Sequence, residues 1–324
     1  MIGPALDSIA GRRMEISRWR NSQGNLDVSA AERAAELVSM SRVVGVVGHA
    51  GSRDALLAGA IYQAHGVPDL VPVATSRKLA ALGGWVFPLA PDDSAEGAFL
   101  SAYAFDSLHA RRIVVLYVGD EYGMGIRDGV RAALRARGAD LADDVLVPHS
   151  VCWMPQMVEV QRLLVRAAVR RSDPEVVVLA VGNDGGCLAQ MVAVARPGTW
   201  VLGADGAEFV TKRVGQVPTG AEARTRRVVL WQPGADAANA TFMERARRVM
   251  RRAPNPTDAL TYDAYLLLAT AVREGGGTRA GVRAWLESLG KTRPPFAGVS
   301  GPISFDHAHR VGGRLYLESV PVAP

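Results

Sequence analysis

Short unbroken apolar runs alternate along the chain with longer stretches of helical period. VVGVVG (Val43–Gly48), RIVVLYV (Arg112–Val118), EVVVLAVG (Glu175–Gly182) and TWVLGAD (Thr199–Asp205) are rich in Val, Ile and Leu. Such runs read as strands buried on both faces. The first three are each followed by Gly and polar residues and then by a helical pattern, the alternation of a parallel sheet with crossover helices. The pattern predicts helices at about Ala30–Met40, Ala55–Ala64, Ser94–Leu108, Ile126–Arg137, Val158–Arg171 and Cys187–Ala195. Three more follow at Ala238–Arg251, Thr257–Glu274 and Ala280–Leu289. Asp92, Asp93, Ser94 and Glu96 read as acidic and hydroxyl caps of the third helix. The last segment, GPISFDHAHRVGGRLYLESVPV, reads as a β-ribbon turning at Asp306–Gly313.

Polar, Pro-containing breaks at PLAPDDS and WQPGAD divide this pattern. The long helix around TYDAYLLLATAVREGG has no strand beside it and needs a sheet to cover. The chain is therefore expected to cross back to its first lobe, giving lobes of residues 1–91 with 234–304 and 92–233 with 305–324. The fold class is α/β, with each lobe a mostly parallel sheet flanked by helices.

Composition narrows the function. A chain of 324 residues suits two domains, and no apolar run reaches the roughly 20 residues that span a bilayer. The net charge is +5, and only Lys78, Lys212 and Lys291 are lysines. The arginines are spread along helices. The one dense tract, RARRVMRR (Arg245–Arg252), reads as a solvated helix face, so nucleic acid is not an expected partner. MIGPALDSIAGRRMEISRW has no basic segment followed by an apolar one, so either the protein is cytosolic or its export segment lies outside this chain. Cys152 and Cys187 form no metal-binding spacing and read as two buried thiols, with a disulfide as the alternative. No GxSxG, HExxH or phosphate-binding loop occurs, the His307/His309 pair reads as surface, and His49 beside Ser52 lacks an orienting carboxylate. No catalytic residue, metal or cofactor is expected.

The remaining candidate chemistry lies in loops after strands, where ligands of open parallel sheets bind. GHAGS (Gly48–Ser52) and PVATS (Pro72–Ser76) place hydroxyls before helices, where spare backbone N–H groups suit an anion. GDEYGMG (Gly119–Gly125) offers Tyr122 as a flat wall with a hydroxyl, and GADG (Gly203–Gly206) offers Asp205 for an ammonium group. Taken singly, Ser52 is equally an N-cap, Thr75–Ser76 a turn, Tyr122 a core aromatic and Asp205 a turn residue. Their joint placement at strand ends suggests recognition of an α-amino acid headgroup.

The ordered segments GRRMEI, VVGVVGHAGS, GVPDLVPVATS, FPLAPDDSAEG, RRIVVLYVGDEYGMG, SDPEVVVLAVGNDGG, VLGADG, TYDAYLLLATAVREGG and GVSGPISFD cover nearly the whole chain. Together they resemble the type I periplasmic binding proteins of the leucine/isoleucine/valine-binding family, the substrate-binding components of ABC importers. The resemblance implies that Ser52 and Thr75 hold a ligand carboxylate, with backbone groups of Ala50 and Val73 beside them. It also implies that Tyr122 stacks on the ligand, that Asp205 holds the ammonium, and that Asn183 or Asp184 lines the side-chain pocket. GPALDSIAGRR matches only the end of the family's first helix, so the first strand and part of the first helix of lobe 1 are expected to be absent. The implied function is a solute-binding protein that closes on an amino acid or related amide or carboxylate, with an ABC permease as partner and an extracytoplasmic location. A cytosolic sensor of the same fold, or a degenerate member serving as enzyme or scaffold, stays open beside it.

Overall fold

The computed structural model describes residues 29–148, 155–182, 185–207, 222–234, 236–307 and 309–320, together with the backbone of 8–9 and 12–13. The chain divides into two compact units, residues 1–91 with 230–314 and residues 92–229 with 315–324. Unit 1 begins with β1 (Ser8–Ile9), β2 (Arg12–Arg13), α1 (Ala30–Ser39), β3 (Val46–Val47), α2 (Ser52–His65), β4 (Asp69–Val71), α3 (Lys78–Ala81) and β5 (Val86–Pro88). Unit 2 follows with α4 (Asp93–Ala102), β6 (Ile113–Val118), α5 (Glu121–Arg135), β7 (Asp143–Val147), α6 (Pro155–Ser172), β8 (Val176–Ala180), α7 (Gly185–Ala195), β9 (Trp200–Gly203) and β10 (Thr225–Val229). The chain then returns to unit 1 as α8 (Ala237–Met250), α9 (Pro256–Glu274), α10 (Arg279–Glu287), β11 (Phe296–Gly298) and β12 (Gly301–Ile303), and ends in unit 2 with β13 (Tyr316–Ser319).

Unit 2 is built on a six-stranded sheet in the order β13-β10-β9-β8-β6-β7, parallel except for β13. Side chains alternate across the pleat, so each central strand feeds two cores. Ile113, Val115, Val176 and Val178 pack with Leu100 of α4 and Ile126, Val130 and Leu134 of α5. Val114, Leu116, Val177 and Leu179 pack with Val165 of α6 and Leu188 and Val192 of α7. Full burial of one such side chain contributes about 1.5–3 kcal/mol, which is why these strands carry no polar face.

Unit 1 holds a parallel three-stranded sheet, β3-β4-β5, and the β11–β12 hairpin. Leu70 and Phe87, paired in register, pack against Ala264 and Leu267 of α9 and Trp285 and Leu286 of α10. Val71 and Val86 face the opposite way, toward Ala55 of α2 and Leu79 of α3. Helix α9 starts on a capping box, with Asn255 and Asp258 each accepting the other's backbone N–H and Pro256 at the first helical position. Asp263, in its middle, accepts from the N–H groups of Val299 and Ser300 and from the Ser300 hydroxyl, pinning the β11–β12 turn.

The structure departs from the sequence reading at several places. Helix α5 begins at Glu121, not Ile126, because Asp120 caps it by accepting from Gly123 N–H. GDEYGMG is therefore largely helix, and its glycines answer to packing: a Cβ on Gly123 would lie 2.3 Å from the Val118 carbonyl oxygen. Only Val46–Val47 of VVGVVG is strand. Among the described residues the terminal ribbon does not form. Phe305 and Val311 share a single bridge, β12 pairs back with β11, and β13 pairs with β10 in the other unit. Cys187 is disulfide-bonded rather than a free thiol; Cys152, the other cysteine of the chain, lies outside the described residues. The expectation of an absent first strand concerns residues 1–28, most of which also lie outside them.

Candidate functional site

In unit 1, β3 and β4 run parallel with Val47 opposite Leu70, so the loops that follow them emerge at the same sheet end. One carries Ala50 and Ser52, the other Val73 and Thr75. Ala55 in the first turn of α2 packs with Ala74 and Leu79, which holds the two loops side by side. Ser52 is not the N-cap of α2. Gly51 is, without a side-chain hydrogen bond, and Ser52 opens the helix as its first residue. The first-turn N–H groups of a 14-residue helix thus lack a capping side chain. Ser52 and Thr75 are 6% and 2% exposed, and among the described residues neither hydroxyl makes a hydrogen bond within the chain. Ser76 accepts from Lys78 N–H and so braces its own turn. Ala50 is exposed and Val73 half-buried, as suits residues that would offer backbone rather than side chain.

In unit 2, Tyr122 and Asp205 meet directly. Tyr122 stands in the first turn of α5, beyond the end of β6, and Asp205 in the turn Ala204–Ala207 beyond β9. The Tyr122 hydroxyl donates to Asp205 Oδ1 at 2.8 Å and accepts from Gly206 N–H at 2.9 Å. A Cβ on Gly206 would lie 2.9 Å from that hydroxyl, so the close turn needs glycine there. Tyr122 therefore orients the acid.

A third residue joins them that the sequence reading took for a helix-capping acid. Glu96, on α4, is 0% exposed, and its Oε1 accepts from Asp205 N–H at 2.7 Å. Asp92 does cap α4, accepting from Ala95 N–H, but Asp93 and Glu96 point inward and are buried. The sequence signal was Gly97. Its missing side chain lets α4 press on α5, since a Cβ there would lie 2.3 Å from the Gly129 carbonyl carbon. That contact fixes which face of α4 is buried, and Glu96 flanks it. Burial pushes the Glu96 carboxyl well above its ordinary range, and the charges of Asp205 and Asp93 add to the rise. Burial also raises Asp205, against the hydrogen bond from Tyr122, and raises the Tyr122 phenol well above its usual value. Since Asp205 already accepts from Tyr122 and Glu96 is the more buried, the proton of this pair belongs on Glu96. Asp184 and Asn183 lie outside the described residues.

Other candidates resolve as structural. The His49 ring stacks on Tyr62 at 6.2 Å and makes no hydrogen bond to Ser52 among the described residues. His309 packs on Phe87 and faces Glu287, while His307 is exposed. No cluster with metal-ligand character occurs among the described residues, and no described helix is long and apolar enough to cross a membrane. A cavity of about 430 Å³ in unit 1 is lined by Val38, Val44 and Arg279. The Arg279 guanidinium is used there by the carbonyls of Val38, Met40 and Val43.

The periplasmic binding protein family model matches residues 5–321, and the chain belongs to that family. An amino acid binding protein of Pseudomonas aeruginosa is 28% identical over 106 residues, spanning 32% of this chain and 28% of that protein's length. Among solved structures, LivJ of Streptococcus pneumoniae, a branched-chain amino acid transporter substrate-binding protein in complex with isoleucine, superposes with TM-score 0.78 at 23% identity, over 98% of this chain and 86% of that one. A solute-binding protein of an ABC transporter from Rhodopseudomonas palustris, in complex with 3,4-dihydroxy benzoic acid, gives TM-score 0.78 at 16% identity, over 98% and 85%. The fold is thus the type I periplasmic binding fold.

Proposed function

We propose that the protein is the ligand-binding component of an ABC-type uptake system and takes a small zwitterion, an amino acid or close relative. The observation that carries the reading is the asymmetry of its two sets of strand-end groups. Unit 1 offers uncharged donors, the Ser52 and Thr75 hydroxyls with the open N-terminus of α2, with Ala50 and Val73 supplying backbone groups; these suit a carboxylate. Unit 2 offers an oriented acid, Asp205 held by Tyr122 and Glu96, which suits an ammonium group. A ligand that needs both sets favours the state in which both are engaged, which is the driving force for closure. Asp184 is assigned to the side-chain pocket on family resemblance. The isoleucine bound by the Streptococcus relative supports the ligand class, and the dihydroxybenzoate of the Rhodopseudomonas relative marks the nearest competing class, a simple carboxylic acid.

The disulfide of Cys187 favours an oxidising compartment, and hence extracytoplasmic work, over a cytosolic sensor. The test is a thermal-shift screen of the protein against amino acids, their amides and aromatic acids. An upward shift with amino acids alone supports the reading. A shift with aromatic acids alone overturns the ligand class.

A further inference from the structure

An ammonium subsite needs one carboxylate, the part proposed above for Asp205. The structure has a second, Glu96, fully buried against the first, with Oε1 on the Asp205 N–H and Oε2 without a hydrogen-bond partner among the described residues. Two buried carboxyls whose charges act on each other do not both stay charged without a cation nearby. The described elements packed around Glu96 supply none. On α5, Arg127 pairs with Asp128 and Asp144, and Arg131 with Asp140 and Asp144. On β10, Arg226 donates to the carbonyls of Ala223 and Thr225. The other titratable groups facing the pair are Asp93 on the same helix and Tyr122 on α5. All of them are acids, so they hold the proton in place.

We propose that Glu96 is a positioning residue that carries the shared proton of the Glu96–Asp205 pair in the unliganded protein, and that a ligand ammonium arriving at Asp205 drives that proton to solvent. The inference rests on the zwitterion reading above. Its chemistry balances simply: one cation enters, one proton leaves, and the buried group keeps its net charge. The sign follows from linkage. The free protein holds a proton that the complex does not, from the value to which the ammonium lowers the pair in the complex upward to the raised value of the free pair. Within that window affinity climbs with pH by up to about tenfold per unit for one released proton, and it levels off above. A simple carboxylic acid brings no cation and releases nothing, so the device separates amino acids from the acids that a relative binds.

Two measurements on the full chain test this. Infrared difference spectra of unliganded wild type and Glu96→Gln at neutral pH should show a protonated-carboxyl carbonyl band that the variant lacks. The absence of that difference overturns the proposal whatever the ligand is. Calorimetry with L-isoleucine, in two buffers of different ionisation enthalpy at pH 6 and 7.5, should then show release of up to one proton and tighter binding at the higher pH. Glu96→Gln, which keeps an acceptor for the Asp205 N–H, should bind with no net proton release and a flat pH profile. Isoleucine binding to wild type without proton release overturns the coupling. If the infrared band is present but neither isoleucine nor any other amino acid binds, the zwitterion reading fails and the ammonium-driven coupling falls with it, while Glu96 remains the proton carrier.

Discussion

The two units bury polar groups in opposite ways. In unit 1 the strand-end groups are neutral hydroxyls, and two buried acids of its core stand at opposite extremes. Asp263 accepts three hydrogen bonds, whereas Asp69, on β4, is fully buried with both carboxyl oxygens unpartnered among the described residues. Asp69 faces α2 beside Tyr62, whose buried hydroxyl is likewise unpartnered among the described residues, and burial pushes both groups toward the neutral form. In unit 2 the buried acids are instead joined to each other and to Tyr122. The difference teaches how to read a buried charge. An isolated one keeps its proton and lowers stability, while a coupled one is poised to respond to an arriving cation.

The largest expected effect falls on the contact that positions the unit 2 acids. Gly97→Val pushes side-chain atoms into the Gly129 backbone and should cost about 3 kcal/mol in denaturant unfolding, the upper range for overpacking. The transition of unit 2 should move and that of unit 1 should not; equal shifts of both would break the picture of separate cores. Asp205→Asn should come next. It removes a charge-assisted contact of about 1.5–3 kcal/mol, so isoleucine affinity measured by calorimetry should fall roughly 10- to 150-fold with stability little changed.

Asp69→Asn probes the isolated acid. Its folded-state acidity is weakened by burial, so above the ordinary aspartate range the unfolded chain ionises while the folded chain must keep the proton. Asp69 therefore subtracts stability increasingly as pH rises, and the variant should gain about 1–2 kcal/mol at pH 8, shrinking toward nothing near pH 4. Denaturation curves at both pH values read this directly, and a gain independent of pH would show that the carboxyl is ionised in the fold. Thr75→Val should have the smallest effect. Losing one neutral donor weakens isoleucine binding by about 1 kcal/mol, or fivefold.

Much of this was legible in the chain. The unit 2 strands are apolar on both faces, and a segment of that kind has few other stable homes. The return of TYDAYLLLATAVREGG to unit 1 followed from an apolar helix without a neighbouring strand. Tyr122 and Asp205 were legible as strand-end residues, but their mutual hydrogen bond was not. Glu96 was misread because an acid in a first helical turn ordinarily serves the helix dipole, and only the Gly97–Gly129 contact turns that face inward. The start of α5 was misread because glycine disfavours helix locally, and packing on Val118 overrode that preference. The terminal ribbon was misread because local turn signals cannot show that β13 pairs with a strand some ninety residues earlier, Arg226 opposite Ser319. The Cys187 disulfide needed spatial proximity that spacing does not report.

The central claim is that one unit answers a carboxylate and the other an ammonium. Calorimetry of the wild-type protein with isoleucine, with its analogue lacking only the amino group, and with its analogue lacking only the carboxylate tests it most directly. The account predicts that the complete amino acid binds and that each one-ended analogue is at least tenfold weaker. Equal binding by the analogue without an amino group would contradict it.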